Sequence, residues 1–120
     1  MSGERGERLA AILAADIAGY SRLLGTDEKG TLARLKAHRR ELIDPKIAAH
    51  RGRLVKTTGD GLLVEFASVV DAPRCATEMQ QAMAGRNAGA LAPERIEFPI
   101  GLHQGDIVVE EGGHLGRLDS

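Results

Sequence analysis

Apolar and polar residues along this chain alternate between unbroken runs that suit strands and spaced sets that suit helices. Leu9 to Ile17 is apolar except at Asp16. Propensity alone would allow a helix there, but the run leads straight into Gly19 and a polar turn, so it reads as a central strand. After Gly19-Tyr20-Ser21 the pattern becomes helical, re-capped at Thr26 or Asp27, with Leu32, Leu35, Leu42, Ile43 and Ile47 on one face. Pro45 kinks or restarts that helix, and His38, Arg39, Arg40 and Glu41 form its solvated side. Gly52 stops it. Arg53 to Thr57 and Leu62 to Phe66 flank Thr58-Gly59-Asp60-Gly61, a hairpin turn whose glycines can supply positive φ.

Ser68 to Asp71 offers N-caps for a second helix from Ala72 to about Met83, with Cys75, Ala76, Met79, Ala82 and Met83 on its apolar face and Pro73 in its first turn. Gly85 to Pro93 reads as a loop. Two strands follow, Arg95 to His103 and Asp106 to Glu110, separated by a turn at Gln104-Gly105; Pro99 makes the first bulged or an edge. The order is βαββαβ with an additional C-terminal strand, an α+β, ferredoxin-like sandwich in which two helices cover one face of an antiparallel sheet. The expected division is a flexible N-terminus over 1–8, a core over 9–111 and a tail over 112–120.

Charge and composition narrow the chemistry. Sixteen Lys plus Arg against seventeen Asp plus Glu leave a net charge of −1, so no global basic field draws nucleic acid or anionic lipid. One Tyr, two Phe and no Trp leave few stacking platforms for single strands. The apolar run at Leu9 is too short to span a membrane, and the N-terminus is no signal peptide. Cys75, the single cysteine, reads as a small buried hydrophobe, and a cytoplasmic setting is expected.

In a ferredoxin-like sheet the third strand lies between the first and second and runs opposite to both. The end of the first strand then sits beside the turn that opens the third, so Asp16 and Asp60 become neighbours. Two carboxylates at one sheet edge without an adjacent cation repel unless hard divalent ions sit between them. That is the layout of a two-metal phosphoryl-transfer site. The plainer alternative is that Asp60 shapes the turn and Asp16 caps the following helix. Between strand and helix, Ile17 to Ser21 offers backbone N–H groups that can receive phosphate oxygens, and Gly19 allows close approach.

Ala15-Asp16-Ile17-Ala18-Gly19-Tyr20-Ser21 resembles the first-strand motif of class III adenylate and guanylate cyclases. Lys56-Thr57-Thr58-Gly59-Asp60-Gly61 resembles their hairpin motif, and Ile100 to Ile107 is similar to the glycine-containing strand pair that follows. The resemblance implies an enzyme of cyclic-nucleotide signalling that converts ATP, or GTP, to a 3′,5′-cyclic nucleotide and pyrophosphate with two Mg²⁺ or Mn²⁺ ions. It implies Asp16, Asp60 and the Ile17 carbonyl as metal ligands, Gly19, Tyr20 and Ser21 as phosphate-binding backbone, and Lys56 as a purine reader acting across a head-to-tail homodimer.

After Glu111 the family pattern brings an Asp, a short apolar-aromatic-Gly sequence and Val-Asn-x-Ala-x-Arg. Gly113 stands where the purine-selecting Asp is expected and Ser120 near the Asn, and the Arg has no counterpart. The expectation is a C-terminally truncated cyclase with little or no activity alone. The competing reading is a catalytically incomplete nucleotide-binding or dimerisation module. A diguanylate cyclase, with a related palm, is disfavoured because Thr58-Gly59-Asp60-Gly61-Leu62 lacks the Gly-Gly-Asp/Glu-Glu-Phe signature.

Overall fold

The apolar run near the start of the chain forms strand β1, Glu7–Asp16, at the middle of the sheet. A computed structural model of the protein describes residues 7–109 and 115–118. Helices α1 (Tyr20–Thr26), α2 (Glu28–His38) and α3 (Asp44–Ala49) follow, the last two joined by a π-helical turn, Arg39–Ile43. Strands β2 (Gly52–Thr57) and β3 (Gly61–Phe66) form the hairpin, α4 spans Asp71–Ala88, and β4 (Ile100–Val109) and β5 (Leu115–Leu118) complete a five-stranded sheet of order β2-β3-β1-β4-β5. Every pairing is antiparallel, which is the ferredoxin-like arrangement with one added strand.

Pleating sends Ala11, Leu13 and Ala15 of β1 and Leu62, Val64 and Phe66 of β3 toward the helices. There they meet Leu42, Ile43 and Ile47, and Cys75, Met79 and Met83 of α4. Each large side chain buried in this layer contributes about 1.5–3 kcal/mol. The opposite face carries Ala10, Ile12 and the buried Glu65, whose carboxylate accepts from Arg53 Nε at 3.1 Å.

Asp27 caps α2 by accepting from the Gly30 N–H at 3.0 Å. Pro45 restarts the first long helix, one of the two outcomes expected: it has no N–H to donate, and the preceding turn widens so that the Asp44 N–H reaches the Arg39 carbonyl.

Several expectations are corrected. Gln104 and Gly105 form no turn; they pair with Ala11 and Ala10 inside one long strand, because the ten-residue β1 needs a partner of its own length. The added strand is therefore β5. Arg95 to Pro99 stays outside the ladder, held instead by α4, where Asn87 donates to the Ile96 carbonyl at 2.8 Å and accepts from its N–H at 3.1 Å. Helix α4 continues through Gly85 to Ala88, since an exposed glycine weakens a helix without ending it.

The left-handed residue after α3 is Arg51, at φ 60°, not Gly52. Gly52 instead makes room for the ring of Phe66, 2.7 Å from where its Cβ would stand. Neither Gly59 nor Gly61 has positive φ. Leu32 lies on the exposed side of its helix, 43% accessible, while Leu42, Ile43 and Ile47 are buried. Glu7 and Arg8 already belong to β1, and β5 falls within the segment read as a tail; residues 1–6, 110–114 and 119–120 lie outside the described residues.

Candidate functional site

Asp16 is the last residue of β1 and pairs across the ladder with Gly61, the first of β3. The chain then leaves the sheet under tight control. Ile17 N–H donates to the Asp60 carbonyl at 2.8 Å, and Ala18 N–H to the Glu97 carbonyl at 3.0 Å. Asp16 and Asp60 are thereby brought to one sheet edge, both exposed to solvent.

Gly61 is needed here for space. A Cβ on it would stand 2.7 Å from Asp16 Oδ1, 2.8 Å from the Ala15 carbonyl oxygen and 3.4 Å from Thr58 Oγ1. Thr58 in turn donates its hydroxyl to Asp60 Oδ1 at 3.3 Å, and its N–H to the Gly61 carbonyl at 2.9 Å. Asp16 and Thr58 therefore flank the side of Gly61 that lacks a side chain, and the Thr58 hydroxyl links that side to Asp60.

The β1–α1 turn narrows the expected set of phosphate donors. The Ile17 and Ala18 N–H groups are committed, whereas those of Gly19, Tyr20 and Ser21 have no acceptor among the described residues. Gly19 is left-handed at φ 65°, and its carbonyl accepts from Leu23 N–H at 2.9 Å to open α1. The half-buried Tyr20 ring reaches across to the hairpin, its hydroxyl 3.8 Å from where a Gly59 Cβ would stand.

Lys56 is exposed on β2, opposite Leu63, with no carboxylate partner among the described residues. Sequence reasoning missed Thr58, which ties Asp60 into the turn, and Arg22, whose guanidinium folds over Gly19 with Nη2 2.8 Å from the position of a Cβ there. A hydroxyl two residues before an acid was the available signal for Thr58; nothing local marked Arg22.

The donor set suits a hard divalent ion brought with its own ligands. Asp16 and Asp60 are exposed carboxylates with no cationic partner among the described residues, and no cluster of three or more His, Cys, Asp or Glu occurs there. Mg²⁺ commonly takes one or two carboxylates and completes its shell with water and substrate phosphate. Two carboxylates and the Ile17 carbonyl fit that pattern and suit no closed structural metal site.

No family model matches the chain. A curated protein of Rhizobium meliloti (strain 1021), "Putative adenylate cyclase 3", is 49% identical over 109 residues, covering 91% of this chain and 19% of that protein. The crystal structure of an adenylate/guanylate cyclase/hydrolase from Silicibacter pomeroyi superposes with a TM-score of 0.82 at 52% identity, covering 95% of this chain and 66% of that one. The guanylyl cyclase Cya2 superposes with a TM-score of 0.75 at 26% identity, over 97% of this chain and 65% of that one. The chain thus spans about a fifth of the curated relative.

Proposed function

The chain belongs to the class III adenylate/guanylate cyclases, and from that premise we propose that it converts ATP, in preference to GTP, to a 3′,5′-cyclic nucleotide and pyrophosphate, with two Mg²⁺ or Mn²⁺ ions held at the Asp16 and Asp60 edge. Asp16 and Asp60, with the Ile17 carbonyl, hold the ions. When bound, the ions supply a lowered pKa at the ribose 3′-hydroxyl and charge neutralisation at the leaving pyrophosphate. The N–H groups of Gly19, Tyr20 and Ser21, without an acceptor among the described residues, take the β- and γ-phosphate oxygens. Gly61 leaves the gap in which an ion can touch Asp16 without meeting a side chain.

Lys56 reads the purine from a second copy of the chain, which makes the active form a C₂ homodimer. The preference for ATP follows the name of the curated relative, 49% identical. The observation that carries the reading is the Asp16 to Gly61 register, which brings Asp16 beside the turn that holds Asp60, two exposed carboxylates without a cationic partner among the described residues.

A second reading, a nucleotide-binding module without turnover, is favoured by Gly113, which stands where the family's purine-selecting Asp is expected. The test incubates the 120-residue chain with Mn²⁺ and ATP or GTP, measuring nucleotide binding, cyclic AMP and cyclic GMP against Asp60→Ala. Turnover that vanishes in Asp60→Ala establishes the enzyme. Binding that vanishes without turnover establishes the module, and neither binding nor turnover overturns both.

A further inference from the structure

Helix α2 buries one residue, Thr31, whose hydroxyl donates to the Leu23 carbonyl at 3.0 Å and ties α2 to α1 instead of to the sheet. A cleft of about 910 Å³ is left between α2 and the end of the sheet. This lies at the upper end of the 300–1,000 Å³ typical of small-molecule sites. Its walls are apolar where Leu32 and Leu35 of α2 face Leu62 and Phe98.

Four cations, Lys29, Lys36, Arg39 and Arg40, line the same cleft with one carboxylate, Asp44. Arg39 pairs with Asp44 at 2.9 Å and Arg40 with Glu41 at 3.5 Å, whereas Lys29 and Lys36 have no carboxylate partner among the described residues. In a chain whose formal charge is −1, this is a local excess of positive charge beside exposed apolar surface. Burying apolar surface next to unpaired cations favours a ligand that is apolar along its length and anionic at one end.

The cleft adjoins the carboxylate edge and shares Ile17 with it. Neither Asp16 nor Asp60 lines it, while Ala15 and Leu62, which face the helices, do. It reaches the hairpin turn from behind, through Thr58, Gly59 and Gly61.

We propose that this cleft binds a long-chain monocarboxylate, with its hydrocarbon chain against Leu32, Leu35, Leu62 and Phe98 and its carboxylate at the end where Lys36, Arg39 and Arg40 cluster. The site stands on the cleft alone and does not depend on the metal edge being catalytic.

The test titrates dodecanoate, below its micelle concentration, into the 120-residue chain by calorimetry, with amide NMR shifts to locate it. The expected result is saturable single-site binding with shifts at Leu32, Gly59 and Gly61. Leu32→Asp and the double variant Lys36→Ala/Arg40→Ala should each weaken binding at least tenfold, and dodecanol should bind at least tenfold more weakly than dodecanoate. Leu91→Asp, at a 70% exposed apolar position outside the cleft, should change nothing. Circular dichroism checks folding, and Leu32→Asn replaces Leu32→Asp if the latter unfolds. Absence of saturable binding, binding indifferent to the cleft variants, or equal affinity for dodecanol would overturn the proposal.

Discussion

Replacing Gly61 by Ala should damage both the fold and the carboxylate edge, because the added methyl has nowhere to go. Its nearest contacts would be 2.7 Å to Asp16 Oδ1 and 2.8 Å to the Ala15 carbonyl, so each gap must open by about 0.6 to 0.7 Å to reach the 3.4 Å of ordinary contact. Asp16 can swing aside. The Ala15 carbonyl cannot, because β1 is paired with β3 on one side and β4 on the other. Overpacking of this kind costs about 1–3 kcal/mol, offset by about 0.4–1 kcal/mol from the stiffer unfolded chain. A net loss of about 1–2 kcal/mol is expected in urea denaturation. Gly85→Ala is the matched control: it lies in α4 with nothing within 4 Å of the new Cβ, so it should stabilise by about 0.5–1 kcal/mol. If Gly61→Ala is as stable as the parent while Gly85→Ala behaves as described, the steric account of the hairpin is refuted.

His38 provides a pH-dependent test. Burial, then the neighbouring Arg86 and more weakly Arg34, hold its pKa below 6.5 against the opposing pull of Glu41. The unfolded chain therefore binds the proton more readily, and stability is complete above about pH 6.5 and falls as pH drops below it. His38→Gln should flatten that slope in urea melts taken between pH 7.5 and 5.5, and an unchanged slope would refute the assignment. Burial pushes the Cys75 thiol up to about 11, so it should resist a thiol reagent at pH 8 in the native protein and react fully in urea. Rapid native labelling would contradict the buried placement of α4's apolar face.

The central strand β1, the hairpin of β2 and β3 and the main helices were legible because apolar periodicity and turn residues agreed over those segments. The juxtaposition of Asp16 and Asp60 was also legible, since it follows from strand order once the fold is ferredoxin-like. What escaped depends on long-range fit. Gln104-Gly105 looks like a turn locally, but the length of β1 draws it into a strand. Arg95 to Pro99 looks like a strand, but the Asn87 amide and the end of β1 satisfy its backbone instead. Gly61 read as a source of conformational freedom, whereas its lack of a side chain is what β1 requires. The exposure of Leu32 could not be read from helical spacing, because α2 is tethered by Thr31 and stands off the sheet.

The proposed role of Asp16 and Asp60 is to form one divalent-cation site for a nucleoside triphosphate. Calorimetric titration of Mn²⁺ into the protein with a non-hydrolysable ATP analogue tests it most directly. The parent should bind saturably, Asp60→Ala should weaken binding at least tenfold, and the Asp16→Ala/Asp60→Ala double variant, checked for folding by circular dichroism, should show no saturable binding. Unchanged Mn²⁺ affinity in the folded double variant would contradict the account.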